Sequence, residues 1–205
     1  MLTRARLATQ GSTGETACEQ CAMGQITATG SQAACVDCVR GKKQPAKEQT
    51  SCIDCTAGQF QADAGKTACA DCAPGRITAD DGLWACADCV FGKYRHDAGM
   101  TACIDCEVGR FQDVVGKTAC TNCEKGKVQP SAGKHSCVDC VSGQFSDTEE
   151  TECHNCQAGE EDHDSQPWTE CVACLAGQYS PEKSVDCTDC VAGWAVRCCC
   201  SSCDL

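Results

Sequence analysis

Pairs of cysteines in the pattern Cys-x-x-Cys recur along most of the chain at a nearly constant spacing. The first eight pairs follow one another at steps of 17 residues, and the last three at steps of 16, 18 and 16. The first cysteines are Cys18, Cys35, Cys52, Cys69, Cys86, Cys103, Cys120, Cys137, Cys153, Cys171 and Cys187, and the second are Cys21, Cys38, Cys55, Cys72, Cys89, Cys106, Cys123, Cys140, Cys156, Cys174 and Cys190. A unit of this length cannot bury a core alone, so we expect the units to stack along an axis.

Other residue types keep the same phase. A glycine follows each second cysteine by three residues, which predicts a backbone position with positive φ or a close chain approach. These are Gly24, Gly41, Gly58, Gly75, Gly92, Gly109, Gly126, Gly143, Gly159, Gly177 and Gly193. Two residues later the side chain is usually large, as in Phe60, although Lys43 and Glu161 break this rule. A second glycine recurs in several units, for example Gly65, and an aspartate often precedes the second cysteine.

The pattern predicts a short β-hairpin in each unit, with turns at the glycines and little room for helix. The expected fold class is therefore small and disulfide-rich, mainly β or irregular, in the form of an elongated rod of tandem hairpins. We divide the chain into a leader or fragment start at 1–17, about eleven repeats at 18–193 and an irregular cysteine-rich tail at 194–205. With 26 cysteines in 205 residues and few large aliphatic side chains, covalent bonds or metal ions must hold the units together.

Three kinds of chemistry use Cys-x-x-Cys pairs. A zinc site consumes two pairs, so it would give a period of 34 residues, whereas every gap here is equivalent. A redox site needs the N-terminus of a helix in a βαβ setting, for which these units have no space. Disulfides are favoured, with zinc as the less favoured alternative.

Disulfides within a pair would tether nothing distant. A bond from the second cysteine of one unit to the first of the next would close each hairpin, as in Cys21 with Cys35, and so on to Cys174 with Cys187. Each such bond contributes about 3 kcal/mol on a chain-entropy argument. Cys190 is within reach of Cys203, which leaves Cys18, Cys198, Cys199 and Cys200 without partners in this scheme.

The assembled pattern resembles the ephrin-receptor-like cysteine-rich repeats, and also the smallest module of tumour-necrosis-factor-receptor ectodomains. The shared features are the cysteine pairs, the glycine three residues later, the following aromatic and the Gly-x-Thr-x-Cys return, over residues 18–193. The resemblance implies the same disulfide pairing. It also implies a secreted or surface protein, a class in which such arrays serve as spacers, adhesins, receptor stalks or filament subunits.

Composition and local motifs limit the remaining functions. A net charge of −12 with scattered basic residues excludes a nucleic-acid surface, and no apolar run has the length of a membrane span. The recurrent aspartate is interpreted as an Asx-type turn rather than a Ca²⁺ ligand, and the acidic stretch 159–168 as a solvated insertion rather than a partner or metal site. The histidines lie at different phases, so no catalytic, cofactor or metal site is predicted.

We therefore expect an extracellular, non-enzymatic structural protein, a segment of a surface filament, flagellar-hair appendage, matrix or adhesive stalk. Its partners would be other copies or other filament and matrix proteins, with Thr and Ser available for O-linked sugars. The alternative is a receptor ectodomain or protist surface antigen that binds a protein ligand. Because no signal peptide is visible despite the cysteine content, we expect a fragment of a longer chain, with a tail that reflects a frameshift or mis-predicted exon rather than a polymerising cysteine segment.

Overall fold

A computed structural model describes residues 20–27 and 34–190. Within these ranges the regular secondary structure consists of twenty short β-strands and contains no helix. The first eight are β1 Gln25–Thr27, β2 Cys35–Asp37, β3 Lys42–Lys43, β4 Ile53–Asp54, β5 Gln59–Phe60, β6 Ala70–Asp71, β7 Arg76–Ile77 and β8 Ala87–Asp88. The next six are β9 Lys93–Tyr94, β10 Ile104–Asp105, β11 Arg110–Phe111, β12 Thr121–Asn122, β13 Lys127–Val128 and β14 Val138–Asp139. The last six are β15 Gln144–Phe145, β16 His154–Asn155, β17 Glu160–Glu161, β18 Val172–Ala173, β19 Gln178–Tyr179 and β20 Thr188–Asp189.

Consecutive strands pair two by two as antiparallel hairpins. In β5 and β6, for example, Gln59 lies opposite Asp71 and Phe60 opposite Ala70. The first strand follows the glycine that lies three residues after the second cysteine. The second strand contains the two residues between the cysteines of the next pair and, in β2, Cys35 as well. The expected fold class, a disulfide-rich tandem repeat of β-hairpins, is confirmed in the described part of the chain.

The chain forms two compact units. The first comprises Met1–Cys89 with Arg95–Cys103, and the second Val90–Tyr94 with Ile104–Leu205. In both units the fully buried side chains are small: second cysteines, threonine and serine. Each unit is thus built around sulfur atoms and short polar side chains, as its poverty in large aliphatic residues requires.

Candidate functional site

The most regular chemical feature is a series of ten disulfides, each of which closes the loop of one hairpin. Each links the second cysteine of one pair to the first cysteine of the next, with Cα atoms 5.4 to 5.9 Å apart. The bonds are Cys21–Cys35, Cys38–Cys52, Cys55–Cys69, Cys72–Cys86, Cys89–Cys103, Cys106–Cys120, Cys123–Cys137, Cys140–Cys153, Cys156–Cys171 and Cys174–Cys187. We call this series, with the two-residue strands that connect its bonds, the disulfide ladder.

The pairs in the ladder are those of the scheme set out from the sequence. Cys190 is disulfide-bonded as well. The expectations for Cys18, Cys198, Cys199, Cys200 and Cys203 concern residues outside the described part of the chain.

The two cysteines of each disulfide differ in exposure. Cys55 has no exposed surface, whereas its partner Cys69 is half-buried. The same difference holds from Cys38–Cys52 to Cys123–Cys137. A solvent-borne reagent therefore reaches the first cysteine of a pair more readily than the second.

The glycine after each second cysteine forms a tight turn. Around Gly58, the N–H of Gln59 donates to the carbonyl of Thr56 at 2.9 Å, and Gly58 has φ of +86°. This is the geometry of a type II turn, which places glycine at its third residue. We call it the first turn. Positive φ is found at Gly24, Gly41, Gly58, Gly75, Gly92, Gly109, Gly126, Gly143, Gly159 and Gly177, while Gly193 lies outside the described residues.

The first turn is also a point of contact with later hairpins. A Cβ atom added to Gly58 would lie 2.1 Å from the carbonyl oxygen of Gly99, two hairpins further along the chain. No other residue type fits there, because both φ and the space exclude a side chain.

A polar residue follows the large side chain in each described hairpin and is buried in seven of the ten, and sequence reasoning missed it. In Gln44, Gln61, Gln112, Gln129 and Ser146 its backbone joins three hairpins. In Gln112, for example, the carbonyl accepts from the N–H of Gly92 at 2.8 Å and the N–H donates to the carbonyl of Lys134 at 3.2 Å. We call this position the bridging residue. Its members are Thr27, Gln44, Gln61, Thr78, Arg95, Gln112, Gln129, Ser146, Asp162 and Ser180. The signal was present in the sequence as an unbroken run of polar residues at one phase.

Two roles recur among the side chains of the bridging residues. In Gln112, the amide oxygen accepts from the N–H of Val114 at 3.0 Å and the amide nitrogen donates to the carbonyl of Ala119 at 2.6 Å, which ties together the loop of its own hairpin. The shorter Thr78 instead turns to the preceding hairpin, where its hydroxyl accepts from the N–H of Gly58 at 2.7 Å. A long amide thus braces one hairpin, and a short hydroxyl locks two hairpins together.

The recurrent aspartate has a different partner from the one expected. Asp71 accepts a hydrogen bond from the side chain of Gln59 directly across the hairpin at 2.8 Å, and Asp88 pairs with Arg76 in the same way at 2.6 Å. The Asx-turn interpretation is therefore wrong for these residues: the carboxylate is satisfied by a cross-strand side chain. In the described residues no group of three or more His, Cys, Asp or Glu has metal-binding geometry.

The large side chains are only half-buried in most hairpins, Phe60 among them, although Val128 is buried. Tyr94 lines a cavity of about 130 Å³ together with Cys120 of the following disulfide. The sequence pattern also predicts that the aromatic of each unit covers a neighbouring disulfide, and this stays a prediction.

The acidic stretch 159–168 is organised by its own polar contacts. Asp162 is a bridging residue, buried, and accepts from the N–H of Gly143 at 2.8 Å. Burial alone would raise the pKa of Asp164, but hydrogen bonds from the Thr169 hydroxyl and the Gln166 N–H outweigh it and lower that pKa below its ordinary value. The Asp162 carboxylate is therefore held by the preceding hairpin and the Asp164 carboxylate by residues of its own hairpin.

Part of the chain matches the model of a known protein family. A family model described as "Tyrosine-protein kinase ephrin type A/B receptor-like" matches residues 41–89. No match to a curated protein was found. The family match and the regular array of cysteine pairs support the interpretation of these units as ephrin-receptor-like cysteine-rich repeats.

These features together indicate an extracellular or cell-surface protein rich in disulfides, since such bonds persist in oxidising compartments. Across residues 20–27 and 34–190, no helix has the length and apolarity to cross a membrane.

Proposed function

We propose that the chain is a structural element of an extracellular assembly, a stiff disulfide-stapled segment of a surface filament, a flagellar-hair (mastigoneme-like) appendage, a matrix or an adhesive stalk. It acts through mechanics and protein contacts rather than through catalysis. The observation that carries the proposal is the disulfide ladder. Domain limits of 1–17, 18–193 and 194–205 and an elongated form belong to the same proposal.

The ladder provides a continuous covalent shortcut under tension. Force applied along the chain passes through a disulfide, then through the two residues between the cysteines of a pair, then into the next disulfide. From Cys21 to Cys187 this path has a maximum length of about 150 Å, against about 570 Å for the same segment with its disulfides reduced. The hairpin loops are outside the path that bears load, so stretching cannot unravel them.

Contacts between hairpins add resistance to bending. The first-turn N–H of one hairpin donates to a bridging carbonyl of the next, as Gly58 does to Thr78 at 2.9 Å. Another bond connects the N–H of Gly82 to the carbonyl of Cys55 at 2.7 Å. Because the same bonds recur hairpin after hairpin within each unit, stiffness would be distributed along the array.

Single-molecule stretching of the chain tests the mechanical proposal. We expect the segment to resist extension beyond about 150 Å without reductant and to lengthen roughly fourfold with it. The double variant Cys55→Ser with Cys69→Ser removes one rung and should add about 40 Å, whereas Ser51→Ala, outside the ladder, should add nothing. Extension to the reduced length without reductant would contradict the proposal.

Intact mass measured before and after reduction separates the disulfide ladder from a zinc array. Each disulfide lowers the mass by two hydrogen atoms. An unchanged mass accompanied by bound zinc would overturn the ladder and leave the zinc array as the explanation.

The family match favours one second candidate, a receptor ectodomain or surface antigen that binds a protein ligand. Sedimentation of the intact chain over a wide concentration range separates the two. A filament segment is expected to self-associate as concentration rises, whereas a chain that stays monomeric would favour the ectodomain.

A further inference from the structure

Each Cys-x-x-Cys pair is the junction of two disulfides. Cys52 is bonded to Cys38 behind it, and Cys55 is bonded to Cys69 ahead of it. If the bond ahead is opened, the thiol of Cys55 is therefore released three residues from an intact disulfide. This arrangement recurs at each junction, so a thiol freed at one point has a disulfide within short chain reach.

The exposure of the cysteines decides how the bond opens. Cys69 is half-buried and Cys55 has no exposed surface, so an external thiolate attacks the sulfur of Cys69 first. Thiol–disulfide exchange then expels the other sulfur as the leaving group, which is Cys55.

Strand β4 hinders the next step, which is the attack of Cys55 on Cys52. Ile53 and Asp54 lie between the two cysteines of the junction and pair with Lys43 and Lys42 of β3. In an extended strand, residues three apart point to opposite faces and their Cα atoms are about 10 Å apart. A disulfide requires Cα atoms at most about 7 Å apart, so Cys55 reaches Cys52 only when this two-residue strand opens.

We propose that the ladder is a one-way thiol–disulfide relay that a small monothiol starts and that the short strands restrain. The monothiol forms a mixed disulfide with Cys69 and the thiolate of Cys55 leaves. That thiolate attacks the sulfur of Cys52, so the bond Cys52–Cys55 forms, the bond Cys38–Cys52 breaks and the thiolate of Cys38 leaves. One bond forms and one breaks in each step, and no oxidant is consumed.

The direction of the relay follows from burial. A thiolate at Cys38 next faces Cys35, which is half-buried, and its attack there releases Cys21. Movement the other way would need a thiolate at Cys69 to attack Cys72, which has no exposed surface. The thiol therefore moves toward the N-terminus, and each step opens a hairpin loop and lengthens the path that bears load.

Two single variants test the direction. Cys69→Ser leaves Cys55 as the free thiol, and Cys55→Ser leaves Cys69 as the free thiol. After folding under mild oxidation, each is incubated at neutral pH, alkylated and mapped by mass spectrometry. In Cys69→Ser the alkylated residue is expected to shift from Cys55 to Cys38 or Cys21, while in Cys55→Ser it is expected to remain at Cys69. A label that stays at Cys55, or one that moves in both variants, would overturn the relay.

The unmodified chain gives a second, independent test, which does not depend on the folding of a variant. It is pulsed with a limiting amount of a small monothiol, quenched in acid and mapped. The relay predicts mixed disulfides on first cysteines, new disulfides within Cys-x-x-Cys pairs and alkylation of second cysteines further toward the N-terminus. Alkylation only of cysteines whose original partner carries the monothiol, with no disulfide inside any Cys-x-x-Cys pair, would contradict it.

Discussion

Eight of the ten described hairpins have two left-handed turns at fixed positions, and the two turns differ in the residue types that occupy them. The first turn is represented by Gly58, with φ of +86°, and the second by Gly99, with φ of +70°. All ten described hairpins keep glycine at the first turn. At the second turn, four residues before the first cysteine, glycine is replaced in three hairpins by Glu48, Glu149 and Lys183, each of which still has φ near +60°.

The neighbours of the two turns explain this difference. A Cβ atom at Gly58 would lie 2.1 Å from the backbone carbonyl oxygen of Gly99, a residue whose N–H donates to the carbonyl of Cys72 at 2.9 Å. A Cβ atom at Gly99 would lie 3.4 Å or more from the side chain of Asp71, which can move. The two turns have the same backbone geometry but differ in whether they accept a residue with a side chain, because the first turn is packed against backbone and the second against a side chain.

The largest expected effect is that of Gly58→Ala. The left-handed conformation costs about 1–2 kcal/mol, and overpacking against a carbonyl adds about 1–3 kcal/mol, so we expect a local destabilisation of about 2–5 kcal/mol. Hydrogen exchange of the Cys72 amide, which donates to the carbonyl of Gly58 at 2.9 Å, reports it directly. Exchange that is unchanged would mean that the two hairpins separate freely at this contact.

A smaller effect is expected from Gly99→Ala, on the other side of the same contact. Here only the conformational term applies, so the loss should be about 1–2 kcal/mol. The amide of Gly99 donates to the carbonyl of Cys72 at 2.9 Å, and the corresponding amide of Ala is followed by hydrogen exchange. If Gly99→Ala were as damaging as Gly58→Ala, packing against Asp71 would be as rigid as packing against backbone, and the comparison would fail.

Much of the hairpin could be predicted from the sequence because its determinants recur at a fixed phase. The period of 17 residues gave the unit, and the fixed glycine gave the positive φ that Gly58 adopts. These features follow from local chemistry, which is repeated often enough to stand out from a single sequence.

The recurrent polar residue at the bridging position was visible in the sequence, but its contacts and the replaced second turns could not be found in this way. Gln112 and Thr78 differ in size and chemistry. What they share is a buried position whose carbonyl accepts from a first-turn glycine of the preceding hairpin, which is a property of the stack. Lys183 offers no local preference for positive φ. Its conformation is imposed by the bond from its N–H to the carbonyl of Cys156 at 2.9 Å and by the disulfide Cys174–Cys187.

The smallest expected effect is a gain, from Lys183→Gly. If packing and the disulfide hold this residue in a conformation that its side chain disfavours, glycine should remove that strain and stabilise the hairpin by about 1 kcal/mol. Lys183→Ala is the matched control, because it removes the same side chain but keeps the Cβ atom, and it should leave stability unchanged. Hydrogen exchange at residue 183, whose N–H is retained in both variants, measures the difference. If both variants gained the same stability, the gain would come from the loss of the lysine side chain. The left-handed conformation at residue 183 would then carry no strain.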